Sequence, residues 1–155
     1  MYKFISNSEN ETIDFARQIS KHAKNWWYYC FIWWFRFSVK QNLLGGVLQY
    51  FDIANEISSP TFTIVNEHNT KDNIPIYHFD VYRLEDVDEF YAIGGDEYFE
   101  KGICIIEWGE IIESILPNDY LKISFTRNFE NENMRILTLE PHGERFNKLV
   151  ERIVI

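Results

Sequence analysis

The sequence predicts an α/β domain with a mostly parallel central sheet, antiparallel edge strands and flanking helices. Three observations carry this. Helical and strand patterns alternate in the early part of the chain, and strand patterns dominate later, which fits a parallel sheet with antiparallel strands at one edge. Ile103–Glu107 is an unbroken apolar run ending in an acid, the pattern of a strand buried on both faces. The 155 residues, 46% hydrophobic and 17% aromatic, make one globular domain long enough to bury a core.

Taken in order, Ser8-Glu9-Asn10-Glu11 is a capping box with Ser8 at N-cap and Glu11 three positions on. Ile13, Ala16 and Ile19 then keep a helical period, so residues 9–23 read as a helix. Residues 25–44, NWWYYCFIWWFRFSVKQNLL, stand apart from the rest and hold four of the five tryptophans. Residues 46–53 read as the end of a second helix, and 61–67 as a β-rich run. Residues 76–82 alternate, placing His78, Asp80 and Tyr82 on one face and Tyr77, Phe79 and Val81 on the other. Residues 87–99 are helical around a break at Gly94-Gly95. Residues 121–125 and 135–140 are strands joined by the polar turn NFENEN, and 144–154 a terminal helix.

Charge and composition narrow the function. A formal net charge of -9 argues against nucleic acid as the main partner, because phosphate backbones need a basic patch. Cys30 and Cys104 have neither metal-ligand spacing nor a disulfide framework, which suits a reducing cytosol. The opening MYKFISNSENET has no apolar signal core. The uncharged stretch between Lys24 and Arg36 is far short of the ~20 residues that span a bilayer. An interfacial anchor would carry a basic face, and this stretch has none.

Three motifs bear chemistry. Glu107 ends a buried strand, where α/β sheets place ligands, and such an acid organises Mg²⁺ or water in nucleotide hydrolases; it can equally just end a strand. His78, Asp80 and Tyr82 on one strand face need partners that a metal–phosphate site supplies, and Arg83 can pair bidentately with phosphate. The alternative is the solvated face of an edge strand. Ser59-Pro60-Thr61-Phe62-Thr63 offers a fixed backbone with hydroxyls for phosphate or Mg²⁺, or else a plain turn. Gly94-Gly95-Asp96-Glu97-Tyr98 resembles the GGDEF signature of diguanylate cyclases, but the segments that signature requires are missing, and it reads as a helix break before an acidic turn.

In the order SPTFTIVNEH, IYHFDVYRLED, DEYFE, ICIIEWGE and LP, the chain closely resembles the TsaE (YjeE) family of small P-loop ATPases. NSENETIDFARQIS resembles that family's first helix, so the likeness spans residues 4–24 and 45–155. The resemblance implies a P-loop NTPase-like fold over residues 1–155, a cytoplasmic location, and Mg²⁺-dependent ATP hydrolysis. It implies support of a TsaB–TsaD complex that modifies adenosine 37 of tRNAs reading ANN codons, with ATP turnover resetting that complex and tRNA contacted only indirectly. It further implies that Glu107 is the Walker B-type acid near Mg²⁺ and Asp80 a second acid near metal or water. Thr61 would lie in a switch-like loop, Trp108 would flank the nucleotide site, and Lys40 stands at the distance from SPTFT that the family's phosphate-loop lysine keeps.

The departure from the family lies at the phosphate loop. The family has a strand, then GDLGxGKT, then a helix, because glycines let backbone N–H groups approach phosphate, lysine meets the β/γ oxygens, and the hydroxyl binds Mg²⁺. Here Lys40 and Gly46 hold their places, but Val39 replaces the last loop glycine and Gln41 the hydroxyl, after the bulky residues 33–37. Possible codons for Trp26 to Phe31 and Trp33 to Phe37, read from the second base with TGA as tryptophan, give Gly-Asp-Ile-Ile-Val-Leu and Gly-Asp-Leu-Gly-Ser. A local frameshift in the gene, restored near Gly45, is therefore the expectation, and the chain as written is expected to be an impaired ATPase. The alternative is a true aromatic strand and helix, in a non-catalytic interaction module that keeps the fold.

Overall fold

The structure, a computed structural model, describes residues 1–23, 29–34, 38–53, 64–128, 131 and 133–153; for 23, 29–34, 38–40 and 127 it describes the backbone alone. Among the described residues seven strands form one sheet: β1 (Tyr2–Ser6), β2 (Tyr29–Trp34), β3 (Val65–Asn69), β4 (Pro75–Asp80), β5 (Ile103–Glu107), β6 (Tyr120–Arg127) and β7 (Arg135–His142). The helices are α1 (Glu9–Ala23), α2 (Ser38–Tyr50), α3 (Val87–Ala92) and α4 (Gly143–Ile153), with 3₁₀ segments at Gly95–Glu100 and Gly109–Ile115. The strand order is β1-β7-β6-β2-β5-β4-β3.

The four middle strands, β6, β2, β5 and β4, run parallel, as the alternating pattern predicts. Antiparallel strands close both edges rather than the single edge expected: β7 and β1 beyond β6, and β3 beyond β4. The second edge follows from chain length. Only the short turn 70–74 joins β3 to β4, with Asn73 at φ 58° and the Thr70 N–H donating to the Ile74 carbonyl, and so short a link permits only a hairpin. Strand β4 is thus interior, which removes the reading of a solvated edge face. It also ends at Asp80, so Tyr82 leaves the strand and stands 64% exposed.

Alternation divides the core between the two faces. On one, Ile76, Ile103, Ile105, Leu121, Ile123, Leu137 and Leu139 pack against Phe15, Ile19, Leu43, Leu48 and Phe146 from α1, α2 and α4. On the other, Tyr77, Phe79, Cys104 and Ile106 pack against Phe90 of α3 and Ile112. Every residue of β5 is buried, as its apolar run predicts.

Local signals explain the element ends. The Ser8 Oγ accepts the Glu11 N–H at 3.1 Å, and the Glu11 carboxylate accepts the Asn7 N–H at 2.7 Å, one residue further out than the standard box. The break at Gly94 is a left-handed residue, φ 68°, between α3 and the 3₁₀ segment. Strand β1 was not anticipated. Its five residues, YKFIS, alternate in burial only because β7 supplies the pairing, and no local signal announces that. Among the described residues no helix is long and apolar enough to cross a membrane.

Candidate functional site

Parallel strands bring like ends together. Asp80 ends β4, Glu107 ends β5, and the register sets them directly opposite each other, with Trp33 of β2 level on the far side of Glu107. The two acids therefore share one edge of the sheet, as the sequence predicts. Strand periodicity also gives them one face, that of Ile76, Ile103 and Ile105. Helix α2 covers the same face through Leu43, Leu44, Val47 and Leu48. It begins at Ser38, just past the end of β2 at Trp34, so its positive N-terminal end lies at the acids' edge. A strand and a helix thus occupy the place that the family resemblance gives to a strand–loop–helix unit, and the polypeptide forms them as written.

Glu107 is 2% exposed, and burying a carboxylate demands partners. His78 supplies one: its Nε2 lies 2.6 Å from the Glu107 Oε1. The pair is diagonal across the ladder, since His78 stands opposite Ile105 and Glu107 opposite Asp80. Two long side chains close that gap, which a short one would not. Asp80 sits half-buried at the strand end; its Oδ1 accepts the Tyr82 N–H at 3.2 Å, turning the chain away from the sheet. The Val81 N–H donates to the Glu107 carbonyl at 3.2 Å, so the two strands stay tied past their acids.

Trp108 follows at φ 62°, a left-handed conformation that is rare for a bulky residue, and its ring centroid lies 5.3 Å from that of Tyr82. The half-buried indole packs toward the Phe79 and Ile106 face of the sheet and makes an aromatic pair with the exposed phenol. Arg83 is exposed on the next turn and makes no hydrogen bond or ion pair among the described residues. Lys40 lies in the first turn of α2, and its side chain is outside the described residues. Thr61 and the SPTFT motif also lie outside them, as do residues 35–37 between β2 and α2. Sequence reasoning placed His78 on the right face but gave it no role. The signal was the H-x-D spacing, which sets a histidine one ladder step behind the acids.

The donor set fits one half of a magnesium–nucleotide site. Mg²⁺ takes one or two carboxylates, waters and phosphate oxygens, and does not need an all-protein cage. Asp80 and Glu107 can offer those carboxylates, and no group of three His, Cys, Asp or Glu gathers among the described residues to form a cage. The phosphate half does not fit. Residues 33–39 contain no glycine, so every one carries a Cβ where backbone would need to approach an anion.

Comparison with known proteins gives the family and the fold. A family model described as threonylcarbamoyl adenosine biosynthesis protein TsaE matches residues 6–136. The tRNA threonylcarbamoyladenosine biosynthesis protein TsaE of Bacillus subtilis (strain 168) is 38% identical over 115 residues, covering 74% of this chain and 70% of the relative. The protein of the same name from Treponema pallidum (strain Nichols) is 42% identical over 86 residues, covering 55% of this chain and 62% of the relative. The crystal structure of Bacillus subtilis YdiB superposes with a TM-score of 0.75 at 28% identity, covering 98% of this chain and 93% of that one.

Proposed function

The chain belongs to the TsaE family, and from that premise we propose that it serves threonylcarbamoylation of adenosine 37 in tRNAs reading ANN codons, as an accessory protein acting on a TsaB–TsaD complex in the cytoplasm. The observation that supports this reading is the β4–β5 register, which sets Asp80 against Glu107 beneath the start of α2. In this reading Asp80 and Glu107 would hold Mg²⁺, which supplies charge neutralisation for a triphosphate, and Trp108 would wall the nucleotide. Lys40, Arg83 and Thr61 would face its phosphates.

The phosphate loop is the weak part of that site. Losing three charge-assisted hydrogen bonds at ~1.5–3 kcal/mol each removes ~4–9 kcal/mol, roughly a thousandfold or more in affinity. Lys40 alone does not replace them, because a point charge on a flexible stem does not cradle a triphosphate. The chain as written therefore binds Mg-ATP very weakly and does not turn it over. A chain in which residues 25–44 are replaced by the glycine-rich loop binds and hydrolyses slowly, and faster with TsaB–TsaD. The test is titration of both chains with Mg-ATP, followed by hydrolysis and, in the replaced chain, by the fluorescence of Trp108, then its sole tryptophan. Micromolar binding by the chain as written would overturn this account of residues 25–44. Sequencing the gene decides separately whether a shifted frame encodes the loop. The absence of glycine from residues 33–39 favours one second reading, an interaction module without turnover. In that case the replaced chain gains ATP binding, yet TsaB–TsaD binds both chains equally.

A further inference from the structure

The strand ends hold two acids but treat them differently. Asp80 closes its strand half-buried, its Oδ1 accepting the Tyr82 N–H. Glu107 lies inside, 2% exposed, and is met by an equally buried ring: the His78 and Glu107 side chains are 1% and 3% exposed, and 2.6 Å separates Nε2 from Oε1. We propose that His78 is a positioning residue for the site described above, orienting the Glu107 carboxylate through a hydrogen bond from its Nε2–H to Oε1. This inference rests on the reading of Glu107 as the site's inner acid.

Three observations converge on it. A carboxylate that holds a cation is ionised and only accepts hydrogen bonds, so in the reading of Glu107 as the inner acid the 2.6 Å contact makes Nε2 the donor. The other ring nitrogen, Nδ1, is buried and has no hydrogen-bond partner among the described residues, so a proton there would be stranded. Both observations select the same tautomer. The third is geometric. A glutamate has three rotatable bonds, so its carboxylate takes its direction from the contacts that hold it, and the His78 ring is one of them. With the strand backbone holding Cα, a hydrogen bond to Oε1 restricts the rotations that set the direction of Oε2. The ring itself is held by strand β4, two residues before Asp80, so the partner of one acid and the other acid are carried by the same rigid segment.

The role is testable in two arms. In the chain as written, long-range ¹H–¹⁵N NMR of histidine nitrogens reads the tautomer. The expected result is an Nε2–H tautomer for His78, assigned by its loss in His78→Gln, with ¹⁵N shifts that move in Glu107→Ala and hold in Asp80→Asn. An Nδ1–H tautomer, or a ring indifferent to Glu107→Ala, overturns the proposal. In the chain with the replaced loop, His78→Leu is expected to lower kcat roughly 10–100-fold with KM for ATP nearly unchanged, the usual scale for removing an outer partner of a metal-site ligand. His78→Gln, which keeps an N–H near the Nε2 position, recovers most of it. Equal losses in Leu and Gln variants of unaltered melting temperature would reduce His78 to a packing residue and overturn the proposal. Full activity in His78→Leu would do the same. A replaced-loop parent that does not hydrolyse ATP refutes the reading of the site and the inference with it, whereas an active parent with an indifferent His78 refutes the inference alone.

Discussion

Gly46 sets the distance between α1 and α2. A Cβ built on it would lie 2.5 Å from the Ile13 carbonyl oxygen and 2.6 Å from the Ala16 Cβ, inside any normal contact. Neither neighbour is the loose end of a flexible chain; both belong to the body of α1. Gly46→Ala must therefore push two helices apart. Overpacking of this kind costs ~1–3 kcal/mol, and the upper end applies because one clashing atom is backbone. Alanine is also the better helix former by ~1 kcal/mol, which offsets part of the loss. The net expectation is about 2 kcal/mol of destabilisation, a fall in melting temperature of about 4–8 °C for a domain of this size. Urea unfolding followed by circular dichroism checks it, and the midpoint should fall with the slope unchanged. Ala16→Gly added to Gly46→Ala relieves one of the two clashes, so the pair should couple favourably by about 0.5–1 kcal/mol. The control is Gly94→Ala, where the nearest atom is 3.8 Å away and φ is 68°: it should cost ~1–2 kcal/mol through backbone conformation and show no coupling to Ala16. A Gly46→Ala variant as stable as the parent would refute the close approach of α1 to α2.

Two further outcomes are expected. Burial pushes the Cys104 thiol far above its ordinary range, and its Sγ–H reaches the Tyr98 carbonyl at 3.4 Å; mass spectrometry after iodoacetamide at pH 8 should find Cys104 unmodified in the folded chain and labelled once urea unfolds it. In α4, the hydrogen bond from Lys148, and secondarily its charge, hold the exposed Glu144 carboxyl below its ordinary value. A lowered folded pKa means that this contribution is present at neutral pH and lost as pH falls through that lowered pKa, and Lys148→Ala should return the Glu144 titration seen by NMR toward the ordinary carboxyl range.

Much of the fold is legible because its elements carry their own signals. The capping box, the buried run of β5 and the glycine break before the 3₁₀ segment each announce themselves within a few residues. Where the reading fell short, pairing decided the outcome. Strand β1 exists because β7 accepts it, and β4 became interior because a short turn folds β3 back onto it. Glu107 was legible from its strand-end position, and Asp80 from strand alternation together with the family resemblance. Their juxtaposition needed only the assumption of adjacent parallel strands. The link from His78 to Glu107 was hinted at only by the H-x-D spacing, because the diagonal contact itself depends on the register between β4 and β5.

The pairing of β1 with β7 has a consequence for biosynthesis. Tyr2 lies opposite Leu139, so β1 finds its partner only after all the strands between them have been made. At ~5–20 residues per second the wait is about 7–27 s, during which YKFIS is an unpaired strand beside the apolar face of α1. The parallel centre, β2 with β5 and β6, must also form across long separations, which is slow. Nascent chains stalled before residue 135 should therefore remain protease-sensitive throughout, including at α1, whose capping box is complete from the start. Formation of the β6–β7 hairpin is thus the event that lets β1 join and the sheet close at that edge.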